Sequence, residues 1–333
     1  KATGGPAYEE GRPELRALRA RVPSRKTGIG SSSPSERGKA RRGPTHVPGN
    51  AAEVASALEG LELSPTKSRG QSFLTDPFVA DAEAALVGTA PGQPVLEVGG
   101  GLGVLTRALL RRDIGPLTVI EKEPRLAAFL RYHFGDRIVV VEGDALVEPI
   151  PKVRAVVGNL PFSIATQLLM RWFQESVPRV VALVQKEVGD RLAAGPGSKT
   201  YGRISILAAF YGTVECHQSV PAAAFYPVPS VAGRIVAFER RRGPSPVHSL
   251  PTLEALLDTL FASRRKQLGN LLPRALAQLH EPRLAAEVAH RAEWPSEWER
   301  LRPESLAPAA YFRLVNTLGE RDGPPRIPLE RHL

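Results

Sequence analysis

The chain has 333 residues, 42% of them hydrophobic, and a formal net charge of +10. That length suits two domains with real cores. A single cysteine, Cys216, excludes a disulfide framework and a cysteine-built zinc site, seven histidines show no metal-ligand spacing, and no apolar run reaches the ~18–20 residues of a membrane span.

Residues 1–50 are rich in Gly, Pro, Ser and Arg and hold eleven cationic residues against four acidic ones. Beyond a short helix near 13–22 they lack apolar periodicity. They are expected to be disordered, either a solvated tail or a basic arm for phosphates. Order is expected from about residue 52. The stretch TDPFVADAEAALVG predicts a helix with Asp76 as N-cap and Pro77 in its first turn. Strands at 94–99, 117–121, 138–143, 154–159 and 179–185 then alternate with helices. ILAAFYGTVE (206–215) and GRIVAFER (233–240) read as the last two strands. No helix separates them, so one of them can run antiparallel. Alternation of this kind predicts a mostly parallel sheet with helices on both faces.

After ERRRGPSP (239–246) the pattern is helical only. Leu253, Leu256, Leu257, Leu260 and Phe261 share one helical face, and PRLAAEVAHRA and PAAYFRLVNTL follow as helices. The expected organisation is a disordered segment at 1–50, an α/β domain at 51–243 and a small all-helical domain at 244–333.

The first main strand runs into EVGGGLGVLT, which carries Glu97, Gly99, Gly101 and Gly103. Glycines at a strand-to-helix turn let backbone approach a nucleotide, although a merely tight turn has the same look. Val104 and Thr106 stand where a dinucleotide fingerprint wants its third glycine. Glu121 ends the next strand, where a carboxylate can accept both hydroxyl protons of a ribose, and Asp144 follows the third, where it can accept from an adenine amine. Two acids beside a glycine turn suggest an adenosine group without phosphates, hence S-adenosylmethionine rather than NAD or ATP. Asn159, Leu160, Pro161 and Phe162 end the fourth strand. As chemistry, Asn159 and a nearby carbonyl would accept N–H bonds from an amine while Phe162 stacks on a flipped base and Pro161 restricts the loop. As structure alone, the same four residues make a turn.

RGQSFLTDPFV, LEVGGGLGVLT, EGDAL, GNLPFSIAT, VQKEVGDRL, AFYPVPSV and FASRRKQLGNLL occur in that order. Together they resemble the ribosomal RNA adenine dimethyltransferases, the KsgA/Erm group, and its KsgA-like members in particular, over about residues 66–319. The resemblance implies a Rossmann-like class I methyltransferase sheet, S-adenosylmethionine as donor, and dimethylation of adenine in small-subunit ribosomal RNA. It sets Gln71, Ser72 and Leu74 against the methionine part of the cofactor, Gly99 and Gly101 at the turn, Glu121 on the ribose, Asp144 with Ala145 at the adenine, and Asn159 at both cofactor and target amine. Lys67, Arg69, Arg264, Arg265 and Lys266 form the expected RNA-contact set. Three positions depart from the family: Ser72 replaces a usual Asn, Gly100 a usual Pro, which is expected to loosen the turn, and Phe162 a commoner Tyr. The expected partner is immature small-subunit RNA, met by a cytoplasmic monomer without a membrane. Rival readings are an Erm-type enzyme for large-subunit RNA and an assembly or transcription factor that keeps the fold without turnover.

Overall fold

The computed structural model describes residues 46–65, 71–279 and 295–319. Helix α1 (Ala51–Gly60) and the short strand β1 (Phe73–Leu74) lead to α2 (Pro77–Leu86). Strand β2 (Val95–Val98), α3 (Val104–Arg111), β3 (Leu117–Glu121), α4 (Pro124–Phe134) and β4 (Ile138–Glu142) follow. Then come β5 (Ala155–Asn159), α5 (Ala165–Gln174), β6 (Arg179–Gln185), α6 (Lys186–Leu192), α7 (Arg203–Tyr211), β7 (Gly212–Val220), β8 (Phe225–Tyr226) and β9 (Gly233–Arg240). Three longer helices close the described chain: α8 (Leu250–Ala262), α9 (Leu268–Leu279) and α10 (Pro308–Gly319).

Seven strands form one sheet in the order β4-β3-β2-β5-β6-β9-β7. The pairs from β4 through β6 are parallel, and β9 runs antiparallel to both β6 and β7. The chain moves outward from β2 through β3 to β4, then returns to place β5 on the other side of β2. That reversal opens a crevice beyond the carboxyl ends of β2 and β5, where open α/β sheets bind ligands. Val95, Val119, Val157 and Val181 pack under α2, α3 and α4, while Leu96, Val98, Val156 and Val180 face the opposite helices. Burial on both faces is why these strands read as apolar runs rather than alternating ones.

Asp76 caps α2 as the sequence predicts, its carboxylate accepting from the Phe78 N–H. The 206–215 segment differs from its expectation. Its first half completes α7, and β7 starts only at Gly212. Ile206, Leu207 and Phe210 are buried on a helix, and a continuous apolar run has no period by which to tell the two states apart. A Cβ at Gly212 would run into the Glu239 carbonyl, so glycine is needed where β7 closes on β9.

Residues 46–50 also differ from the disorder expected of them. Arg107 donates to the carbonyls of Val47 (2.9 Å) and Pro48 (3.1 Å), and the Asn50 side chain caps α1. Long-range backbone contacts of this kind leave no apolar period in the sequence. The rest of the N-terminal segment, the helix near 13–22 and PRLAAEVAHRA lie outside the described residues. The apolar face on α8 is buried at Leu253, Leu256, Leu257 and Leu260, and the same cluster continues from Leu96 of the sheet to Tyr311 and Val315 of α10.

Candidate active site

A cleft of about 600 Å³ opens at the carboxyl ends of β2 to β5. Its floor is the turn after β2. Gly99, Gly101 and Gly103 have φ of 76°, 54° and 79°, the left-handed region that glycine enters without strain. Gly100 has a different reason to be glycine. A Cβ there would lie 2.5 Å from Val119 Cγ1 and 2.8 Å from Leu130 Cδ1. The side chains of β3 and α4 fill the space that a larger residue would take at this position. Gly100→Ala should lower stability by about 1–3 kcal/mol through overpacking. Val119→Ala in the same chain should recover part of that loss, and denaturant titration of the four proteins checks both statements.

Glu121 ends β3 with its carboxylate aimed by backbone. Oε2 accepts from Gly101 N–H and Oε1 from Glu123 N–H, each at 2.9 Å. Burial pushes its carboxyl up, while the N–H groups of Glu123, Gly101 and Lys122 pull the other way. Asp144 follows β4. Its Oδ1 accepts from Leu146 N–H (2.9 Å) and its Oδ2 from Lys122 Nζ (2.7 Å), and the Lys122 bond above all holds this carboxyl below the usual range. Lys122 is 76% exposed, so the pair contributes about 0–1 kcal/mol and yields readily to a ligand.

Asn159 ends β5 and lines the cleft. Its Nδ2 donates to the Ser72 carbonyl at 3.2 Å, which fixes the amide with Oδ1 as the acceptor on the other side. The contact uses Ser72 backbone, so it survives the departure from Asn at that position. Gln71, Ser72, Leu74 and Ala145 line the same cleft. Segment 73–74 is held by pairing with β8 (Phe73 opposite Tyr226, Leu74 opposite Phe225).

Leu160 behaves differently from its neighbours. Its side chain is 1% exposed in the core, leaving only backbone to reach a ligand, because the residue after Asn159 turns to the opposite face of the sheet. Pro161 lines the cleft. Phe162 sits beside it, its ring edge-on to Phe225 at 6.2 Å and 68°. Arg264, Arg265 and Lys266 are placed apart, in the turn between α8 and α9. Arg265 and Lys266 are exposed, and Arg264 stands 3.9 Å from Glu304. Lys67 and Arg69 lie outside the described residues.

Two groups at the site escape sequence reading. Lys122 directly follows Glu121 at a strand end, and that adjacency was its only signal. Arg171, on α5, donates to the carbonyls of Ala145 and Glu148 behind the cleft and leaves no local signal at all.

The family model described as ribosomal RNA adenine dimethylase matches residues 64–293. The chain is 34% identical over 267 residues to the ribosomal RNA small subunit methyltransferase A of Photorhabdus laumondii, covering 77% of this chain and 94% of that protein. It is 41% identical over 228 residues to the protein of the same name from Deinococcus radiodurans, covering 66% and 76%. Among solved structures, a dimethyladenosine transferase from Plasmodium falciparum aligns with a TM-score of 0.63 at 22% identity, over 73% of this chain and 95% of that one. The 23S rRNA methyltransferase ErmE aligns with a TM-score of 0.57 at 24% identity, over 74% and 99%. At these identities the two structures speak to the fold alone.

Proposed function

The chain belongs to the ribosomal RNA adenine dimethylase family, and from that premise we infer how its cleft serves the reaction. The protein is an S-adenosylmethionine-dependent methyltransferase of class I fold that dimethylates adenine at its exocyclic amine in small-subunit ribosomal RNA. The observation that carries the site reading is the convergence of Glu121, Asp144 and Asn159 at the ends of three strands around a left-handed glycine turn.

The residues fit the cofactor. The cleft has the volume of a nucleoside-sized site. Glu121, already aimed by two backbone donors, is assigned to the ribose hydroxyls, and Asp144 with Ala145 to the adenine. Gln71, Ser72 and Leu74 are assigned to the methionine end, with Gly99 and Gly101 allowing backbone to approach. Bound S-adenosylmethionine supplies an electrophilic methyl group.

The chain's own residues do the positioning. An adenine amine is a poor nucleophile because its lone pair is delocalised into the ring. Asn159 Oδ1, and a backbone carbonyl of the following turn, accept its two N–H bonds and favour a pyramidal nitrogen whose lone pair points at the methyl group. Phe162, supported edge-on by Phe225 and next in the chain to Pro161 of the cleft wall, is assigned to the face of a flipped base. Arg265 and Lys266, with Arg264, are assigned to RNA phosphates, which position without reading sequence. The domain limits proposed are 51–243 for methyl transfer and 244–333 for RNA contact, with α8 to α10 anchored on the sheet's own core. No described helix is long and apolar enough to cross a membrane, and a ribosomal substrate supports a cytoplasmic location.

The test is incubation with labelled S-adenosylmethionine and separated immature small and large subunits, followed by nucleoside analysis. Label is expected in dimethyladenosine from small subunits, and label confined to large subunits would reject the reading. Asp144→Ala should weaken cofactor binding by about tenfold or more, the loss of a hydrogen bond to a charged group, and leave RNA affinity nearly unchanged. Calorimetry and gel-shift separate the two, and equal loss in both would count against the role of Asp144.

A further inference from the structure

We propose that Arg171 is a positioning residue that sets the adenine-recognising turn, a reading that rests on the assignment of Asp144 to the cofactor's adenine. Residues 143–148 form one short turn after β4. At its leading end Asp144 Oδ1 accepts from Leu146 N–H, and the Asp144 carbonyl accepts from Val147 and Glu148 N–H groups at 2.9 and 2.8 Å. Two carbonyls of the turn, those of Ala145 and Glu148, take their donors from outside it. Arg171 provides both: Nη1 donates to Ala145 O at 2.5 Å and Nη2 to Glu148 O at 2.6 Å. Its remaining edge is held by Glu175, with Nε donating to Oε1 at 2.6 Å.

The guanidinium is thus a fork closed on three acceptors, with its side chain only 18% exposed. A planar fork of fixed spacing can hold two carbonyls at once, and a lysine ammonium cannot do so with the same geometry. Arg171 lies on α5, which follows Pro161 and Ile164 of the cleft wall and itself sets Leu168 there. The fork therefore joins the wall that follows Asn159 to the turn that presents Asp144. Both halves of the reaction, the cofactor's purine and the target amine, are kept in one register by a side chain that touches neither.

The test compares S-adenosylhomocysteine with S-inosylhomocysteine, in which a carbonyl oxygen replaces the exocyclic amine. Calorimetry is run on the full chain carrying wild-type Arg171, Arg171→Met and Arg171→Lys, with thermal melts alongside. Wild type should prefer the adenosyl compound by about 10–100-fold, the worth of a hydrogen bond to a charged group. Arg171→Met keeps an unbranched stem but no donor. It should bind the adenosyl compound about tenfold more weakly, the inosyl compound much as before, and so lose most of the preference. Arg171→Lys keeps the charge and one donor group; it should fall between and carries the test should the Met variant fail to fold. A variant that binds both compounds more weakly by one factor, keeping the wild-type preference, would show that Arg171 only supports the fold and would overturn the proposal. Should wild type itself show no preference, the assignment of Asp144 falls and this proposal with it; that failure is seen in the wild-type arm alone.

Discussion

Asn159→Ala should lower single-turnover methylation of immature small subunits by about 10²–10³-fold, by analogy with removal of one oxyanion-hole donor. The size of the effect follows from when the bond matters. In the ground state the amine is nearly planar and its N–H groups are satisfied by water as readily as by Asn159. As the nitrogen becomes tetrahedral its N–H groups turn more strongly donating, so the loss of Oδ1 falls on the transition state. Ser72 strengthens the expectation, because its carbonyl holds Nδ2 at 3.2 Å and leaves the amide no cheap rotation. The assay is run at saturating cofactor, since Asn159 also lines the cofactor cleft. RNA affinity should hardly change. Phe162→Ala should instead impair capture of the base, by loss of a stacking contact of about 1–3 kcal/mol, and Phe162→Tyr should be tolerated. Near-normal turnover in Asn159→Ala would mean that residues 159–162 are a turn and nothing more.

What was legible in the sequence was whatever is written locally. Asp76 followed by Pro77 announces a helix start, because both act within one turn, and the structure has that cap. Glu121 and Asp144 could be placed at one edge because parallel strands all end on the same side. The 206–215 segment was misread where local information is poorest, in an apolar run that suits either state. Contacts between distant positions were illegible for a different reason. Asn159 and Ser72 are 87 residues apart, Arg107 and Val47 are 60, and Arg171 and Ala145 are 26. Each uses a backbone carbonyl as acceptor, and a carbonyl carries no residue identity for the sequence to reveal.

Glu83 was hidden in another way, inside a helix whose pattern accommodated it as one more polar position. It is fully buried on α2, and so is Glu97 on β2. No side-chain oxygen of either makes a hydrogen bond of full geometry among the described residues, although the Leu183 backbone stands near Glu83 and Thr106 near Glu97. Burial, then the neighbouring Glu97, pushes the Glu83 carboxyl up to about 8. Burial does the same for Glu97, also to about 8, with the nearby Thr106 giving partial relief and Glu121 adding to the rise. In the unfolded chain both acids lose their protons near the ordinary value of 4.5. Between that pH and about 8 the folded chain holds more protons than the unfolded one, so raising the pH through this window destabilises the fold, and above it the dependence flattens.

Glu83→Leu removes one of the two carboxyls, keeps a strong helix former, and offers an apolar side chain to a face already lined by Val79, Ala80 and Ala84. At pH 5, where both acids are protonated, it should change stability little. At pH 8 it should add on the order of 3 kcal/mol, or roughly 4–6 °C in melting temperature for a chain of this size. Glu83 does not line the cleft, so cofactor affinity should stay at the wild-type level. Melting temperatures of both proteins from pH 5 to 9 give the answer. The curves should diverge as pH rises, because only the wild type has two buried protons to lose. Parallel curves would mean that Glu83 carries no linkage and that water or a partner satisfies its carboxyl in solution.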